Sequence, residues 1–133
     1  MSVEKPFLLE RIGGEPALEA AVNEFYKRLV VDEKLSLFFD GVDVESLKDH
    51  QRKFLRLAFT KIPESVDVGA LLLEKHQRLF KMGCNEEHFD IVAGHFVETL
   101  QHLGVPKDLI DEAVAIVVPL RPIFVKGAEL AKQ

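Results

Sequence analysis

A chain of 133 residues, 47% apolar and 29% charged, has the size and composition of one soluble globular domain. A net charge of −5 argues against nucleic acid or an anionic membrane as partner, and no apolar run approaches the roughly 18 residues of a membrane span. The opening MSVEKPFLLERIGG lacks a leader-like apolar stretch, and one cysteine, Cys84, cannot form an internal disulfide, so a cytoplasmic protein is expected.

Residues 1–133 read as one domain with a tail that frays after about Lys126. Helical periodicity dominates and no segment reads as a strand, so the class is all-α. Phe7 to Ile12 is a short first helix stopped by Gly13-Gly14, and Pro16 suits the first turn of the next. Leu18, Ala21, Val22, Phe25, Leu29 and Val30 then mark one buried face. Leu35 to Phe39 is a short apolar turn. Asp43 can cap a helix in which Val44, Leu47, Gln51, Phe54, Leu55 and Ala58 share a face. Lys61 to Asp67, with Pro63, is a loop. Leu71, Leu72, His76, Leu79 and Phe80 predict one shorter helix ending near Gly83. Asn85 caps a long helix with Phe89, Val92, Phe96, Leu100 and Leu103 inward and Gly104 as its stop. Leu109, Ile110, Ala113, Val114, Val117 and Leu120 make the last helix, where Pro119 forces a kink or an early end.

Polar residues on the buried faces carry the functional signal. His76 falls four residues after Leu72 and three before Leu79, on the inward side of its helix. A core histidine with a backbone partner and a haem iron ligand both satisfy that placement. Gln51 and His50 border the Leu47–Phe54 stripe, as a plain stripe edge or as a polar wall over a buried ligand. Tyr26 sits at the edge of its own apolar face and needs a partner for its hydroxyl, which Gln51 or a bound diatomic molecule could supply. His88, His95 and His102 read as surface or structural residues. No zinc, Walker, dinucleotide-binding or nucleophile-elbow spacing occurs, and Cys84 lies in an interhelical turn rather than beside a base.

The segments IGGEPALEAAVNEFYKRLVVDEKLSLFFDGVD, HQRKFL, EKHQRL, EEHFD and LGVP, in this order and spacing, make the sequence resemble the truncated haemoglobins, most closely their first group. The likeness runs from about Phe7 to Phe124. It implies a truncated globin, a two-over-two helical sandwich around haem. By motif position His76 is the proximal iron ligand, Phe39 packs on the haem face and Tyr26 is the distal tyrosine. Leu47 takes the place where ordinary globins put a distal histidine, Gln51 partners Tyr26, Phe54 lines the distal pocket and Phe89 packs near the haem edge. Lys48 and Lys75 are candidates for the propionates. His50 stands where some relatives place a second iron ligand, and a rotation or unwinding of its helix would bring it there.

The chain departs from the family where AFTKIPESVD replaces a Gly-Gly before the proximal segment. Some relatives attach haem through a histidine of the last helix, but Arg121 stands near that place, so haem b held without a covalent bond is expected. The resemblance implies reversible binding of oxygen or another diatomic ligand. Its alternative is nitric oxide dioxygenase chemistry, for which an external reductase is needed because no flavin or nicotinamide motif is present. Expected partners are thus oxygen, nitric oxide or a similar small ligand and that reductase, with no nucleic acid and no membrane, and the protein is expected to be a monomer.

Overall fold

The structure is a computed structural model that describes residues 6–133. Among these residues there are helices and no strands. Helix α1 (Leu8–Arg11) turns at Gly13, whose φ of 123° only glycine adopts readily, into α2 (Gly14–Val31). A 3₁₀ turn (Ser36–Phe39) leads to α3 (Val44–Ala58), followed by α4 (Val68–Lys75), α5 (Gln77–Lys81), α6 (Glu86–His102), α7 (Lys107–Val117) and α8 (Arg121–Ala131).

The expected caps form. The Asp43 carboxylate accepts from the N–H groups of Glu45 and Ser46 at 3.1 and 3.3 Å, satisfying donors that the first turn of α3 leaves open. The Asn85 side chain accepts from Glu87 N–H, and Asn85 N–H donates to His88 Nδ1, so His88 has a structural task in closing the start of α6.

Helix α2 packs across α3 and α6, and α6 packs in turn on α7 and α8, giving the two crossed layers of a two-over-two sandwich. Leu18, Val22, Leu100 and Thr99 are buried where α2 meets α6, and Thr99 places its hydroxyl on the His95 carbonyl. Helix α1 is tied in through Leu9 N–H, which donates to the Phe59 carbonyl at 3.0 Å. Cys84 is buried between α5 and α6, and that burial pushes its thiol up to about 11. Among the described residues no helix is long and apolar enough to cross a membrane.

Several expectations are corrected. The single helix over Leu71–Phe80 is two helices, α4 and α5, broken at His76. The break changes which face of α4 turns inward, so Leu73 packs on the core while Leu71 is 38% exposed. Leu103 is also 38% exposed, because it is the C-cap of α6 and lies beyond its inward stripe. Pro119 ends α7, as its missing N–H and bulky ring require, in a 3₁₀ turn over Val118–Leu120. The chain then enters a further helix, α8, which continues to Ala131, past the Lys126 at which fraying is expected.

Helix α8 lies on α4 and α5, with its small residue Gly127 against α5. A Cβ built there would overlap the ring carbons of Phe80, a buried side chain that also meets the rings of His76 and Phe124. Gly127→Ala would raise helix propensity by about 1 kcal/mol. Overpacking a pinned aromatic costs about 1–3 kcal/mol, and here the upper part of that range applies because three rings must shift together. Thermal unfolding of Gly127→Ala should therefore show a midpoint several degrees below wild type, whereas an equal or higher midpoint would mean that Phe80 yields freely.

Candidate functional site

His76 occupies the break itself, as C-cap of α4 and N-cap of α5, with φ −109° and ψ 10°. Its N–H donates to the Leu72 carbonyl at 3.1 Å and its own carbonyl accepts from Phe80 N–H at 3.0 Å, so the backbone stays hydrogen-bonded through the interruption. The ring is fixed by the same carbonyl, 2.9 Å from Nδ1. A carbonyl can only accept, so Nδ1 carries the proton and Nε2 keeps a free electron pair. Burial depresses the pKa of His76 below the ordinary imidazole value, a shift that the hydrogen bond to Leu72 partly opposes. The side chain is thus held as a neutral base in one tautomer.

Aromatic rings surround it. Phe124 of α8 meets His76 edge-on at 5.5 Å, and Phe80 lies at 6.3 Å. Phe89, buried near the start of α6, contacts Phe124 at 5.1 Å and so joins the same cluster.

A second cluster forms between α2, α3 and the 3₁₀ turn. Tyr26 is buried and its hydroxyl donates to Gln51 Oε1 across a long 3.4 Å. Phe25 and Phe39 pack edge-on against its ring at 5.6 and 6.2 Å. Burial raises the Tyr26 phenol to about 12, so it remains a hydrogen-bond donor at any ordinary pH.

The structure therefore brings Tyr26, Gln51 and Phe39 together, and His76 with Phe89. Leu47 and Phe54 are half-buried on α3 and pack against the core. Lys48 pairs with Glu45 at 3.3 Å on its own helix, and Lys75 is exposed. His50 is exposed as well, one residue from Gln51 on α3. Arg121 forms a two-pronged pair with Asp90 at 2.9 and 3.1 Å. Sequence reasoning missed Phe124 as a neighbour of His76. It lies beyond Pro119, where the last helix was expected to kink or end, and the signal that could have found it is Pro122, a residue well suited to the first turn of a new helix.

The chemistry of these donors fits haem. Among the described residues no group of three or more His, Cys, Asp or Glu could hold a bare metal ion. One half-buried neutral imidazole with a free Nε2 suits an iron that brings its other ligands with it, and the flanking phenylalanines suit an apolar macrocycle.

An all-helical sandwich with this one lone-pair imidazole is a globin arrangement, and residues 7–125 match the family of bacterial-like globins. The group 1 truncated hemoglobin GlbN of Synechocystis sp. is 40% identical over 110 residues, covering 82% of this chain and 87% of that protein. GlbN of Mycolicibacterium paratuberculosis is 36% identical over 124 residues, covering 93% and 88%. In three dimensions Chlamydomonas reinhardtii THB4 aligns with a TM-score of 0.77 at 40% identity, over 89% of this chain and 94% of that one. A 2/2 hemoglobin from Synechococcus sp., solved in the cyanomet state with covalently attached heme, aligns with a TM-score of 0.79 at 36% identity, over 91% and 99%. The chain belongs to the group 1 truncated haemoglobins, a family of haem proteins that bind diatomic ligands.

Proposed function

We propose that His76 would be the proximal ligand of a haem b held without a covalent bond, and that Tyr26 and Gln51 would retain oxygen or a similar diatomic ligand bound to it. When bound, the haem supplies an iron at which such a ligand coordinates. The observation that carries the reading is the Nδ1–Leu72 hydrogen bond, which leaves Nε2 of the half-buried His76 as an unprotonated donor of an electron pair. Tyr26 contributes a neutral O–H, and Gln51, as the present acceptor of that proton, orients it. Phe39, Leu47 and Phe54 keep water from the ligand, and Phe89 with Phe124 supports the proximal side. Lys48 and Lys75 are the cations offered to the propionates, Lys48 after leaving Glu45. Non-covalent attachment is supported by the absence of histidine from α7 and α8, where Arg121 is engaged with Asp90. An external, cytoplasmic reductase would return the iron to the ferrous state.

The purified protein should show a haem absorption band, and its haem should pass into acidified butanone. His76→Ala should lower the ratio of haem to protein absorbance, since the iron loses its protein ligand. Full retention with an unchanged spectrum would remove His76 from this role.

Tyr26→Phe deletes only the hydroxyl. A hydrogen bond to a charged acceptor is worth about 1.5–3 kcal/mol, so oxygen should bind about ten- to a hundredfold more weakly, chiefly through faster release. Stopped-flow release measurements decide this, and an unchanged rate would mean that Tyr26 does not touch the ligand.

His50 is proposed as a second protein residue that would bind the iron in the ferric protein without added ligand. From its exposed position this requires α3 to rotate or unwind near Gln51. His50→Ala should then convert a low-spin ferric spectrum to a largely high-spin one, and a wild-type protein already high-spin at neutral pH would exclude the role.

A further inference from the structure

The corner between α2 and the 3₁₀ turn is built on one residue. Asp32, the C-cap of α2, donates its N–H to the Leu29 carbonyl, and its own carbonyl accepts from Leu35 and Ser36 N–H at 3.0 and 2.8 Å. Its carboxylate is divided between two tasks. Oδ1 accepts from Lys34 N–H at 2.8 Å, and Oδ2 lies 2.7 Å from His95 Nε2 of α6. A carboxylate only accepts, so Nε2 carries the proton. The other ring nitrogen, Nδ1, is buried with no hydrogen-bond partner among the described residues and stands 3.9 Å from Glu98 Oε2. The orientation of this imidazole therefore rests on Asp32. The His95 hydrogen bond is also the largest influence holding the Asp32 carboxyl below its usual range. A parallel link from Arg28 to Glu98 at 3.2 Å is more exposed and contributes little rigidity.

Both ring-bearing walls of the Tyr26 cluster hang from this corner. Tyr26 lies less than two helical turns before Asp32, and Phe39, whose ring meets Tyr26 edge-on, closes the turn that Asp32 begins. We propose that Asp32 and His95 are positioning residues for ligand retention: their hydrogen bond clamps the corner to α6 and so fixes the Tyr26 hydroxyl relative to Gln51 and Phe39. This rests on the reading of Tyr26 as the ligand's hydrogen-bond donor. Neither residue touches the ligand.

Two amides separate the clamp from mere packing. In His95→Gln the amide nitrogen reaches about as far as Nε2 and can still donate to Asp32. In His95→Asn it reaches only as far as Nδ1 and cannot. Tyr26 is the one tyrosine in a chain without tryptophan, so tyrosine labelled with carbon-13 in the ring gives a resonance from Tyr26 alone. The holoprotein in its ferrous, carbon monoxide form is the sample. His95→Asn should shift or split that resonance and speed oxygen release about three- to tenfold, less than the loss of the hydroxyl itself. His95→Gln should stay close to wild type. In a Tyr26→Phe background His95→Asn should add almost nothing.

A folded His95→Asn with the wild-type resonance and wild-type release overturns the proposal, and so does equal acceleration with and without the Tyr26 hydroxyl. If Tyr26→Phe leaves release unchanged while His95→Asn still moves the resonance, the clamp stands and the functional reading of Tyr26 has failed. Should His95→Asn not fold, Asp32→Ala serves in its place. It removes the acceptor of the His95 ring and should move the same resonance in the same way.

Discussion

The interruption at His76 is the constraint on which the proximal half of the molecule depends. A continuous helix from Val68 to Lys81 would fix the direction of the imidazole by helical geometry alone. The break frees the ring from that geometry, and the Leu72 carbonyl then fixes it again through both the backbone N–H and Nδ1. One acceptor thus sets position, tautomer and electron-pair direction together. The arrangement needs support from outside α4 and α5, since a helix end has few bonds of its own. Helix α8 provides it through Phe124 against the imidazole and through Gly127, where the absence of a side chain lets Phe80 lie against the helix backbone.

The distal half works by a different balance. Tyr26 sits among phenylalanines, and among the described residues its hydroxyl has a partner only across a long contact to Gln51. A buried hydroxyl with a stretched bond retains capacity for a better acceptor, while burial keeps the proton on it. Adaptability at that one atom is compatible with function only if the frame around it is stiff. The stiffness comes from Phe25 against Phe96 between α2 and α6, at 5.7 Å, and from the bonds gathered on Asp32.

How much of this was legible in the sequence depended on how local its causes are. Asp43 and Asn85 act on N–H groups two or three residues away, so the starts of α3 and α6 could be read directly. The buried faces of α2 and α6 followed from spacing, apart from Leu103 at a helix end. The pairing of Tyr26 with Gln51 was legible because each stood out as polar on an apolar stripe. The break at His76 was not, since no glycine or proline marks it and its support lies in α8, some fifty residues on. Helix α8 was missed for a related reason. Pro119 read as a kink or an early end and Pro122 was given no role, yet Pro122 sits in a first turn, where its fixed φ and missing N–H cost nothing. His95 read as a surface or structural residue, and its partner Asp32, distant in sequence, was not found.

The burial of Cys84 has a practical consequence. Its thiol is enclosed between α5 and α6 and is pushed up to about 11, so at neutral pH almost none of it is the reactive thiolate. It is also the only cysteine in the chain. A cysteine engineered on the outer surface of α3 or α7 would therefore be alkylated selectively by a maleimide without first replacing the native one. Fluorophores or spin labels could then be attached at chosen sites to follow helix movements in an otherwise unaltered protein.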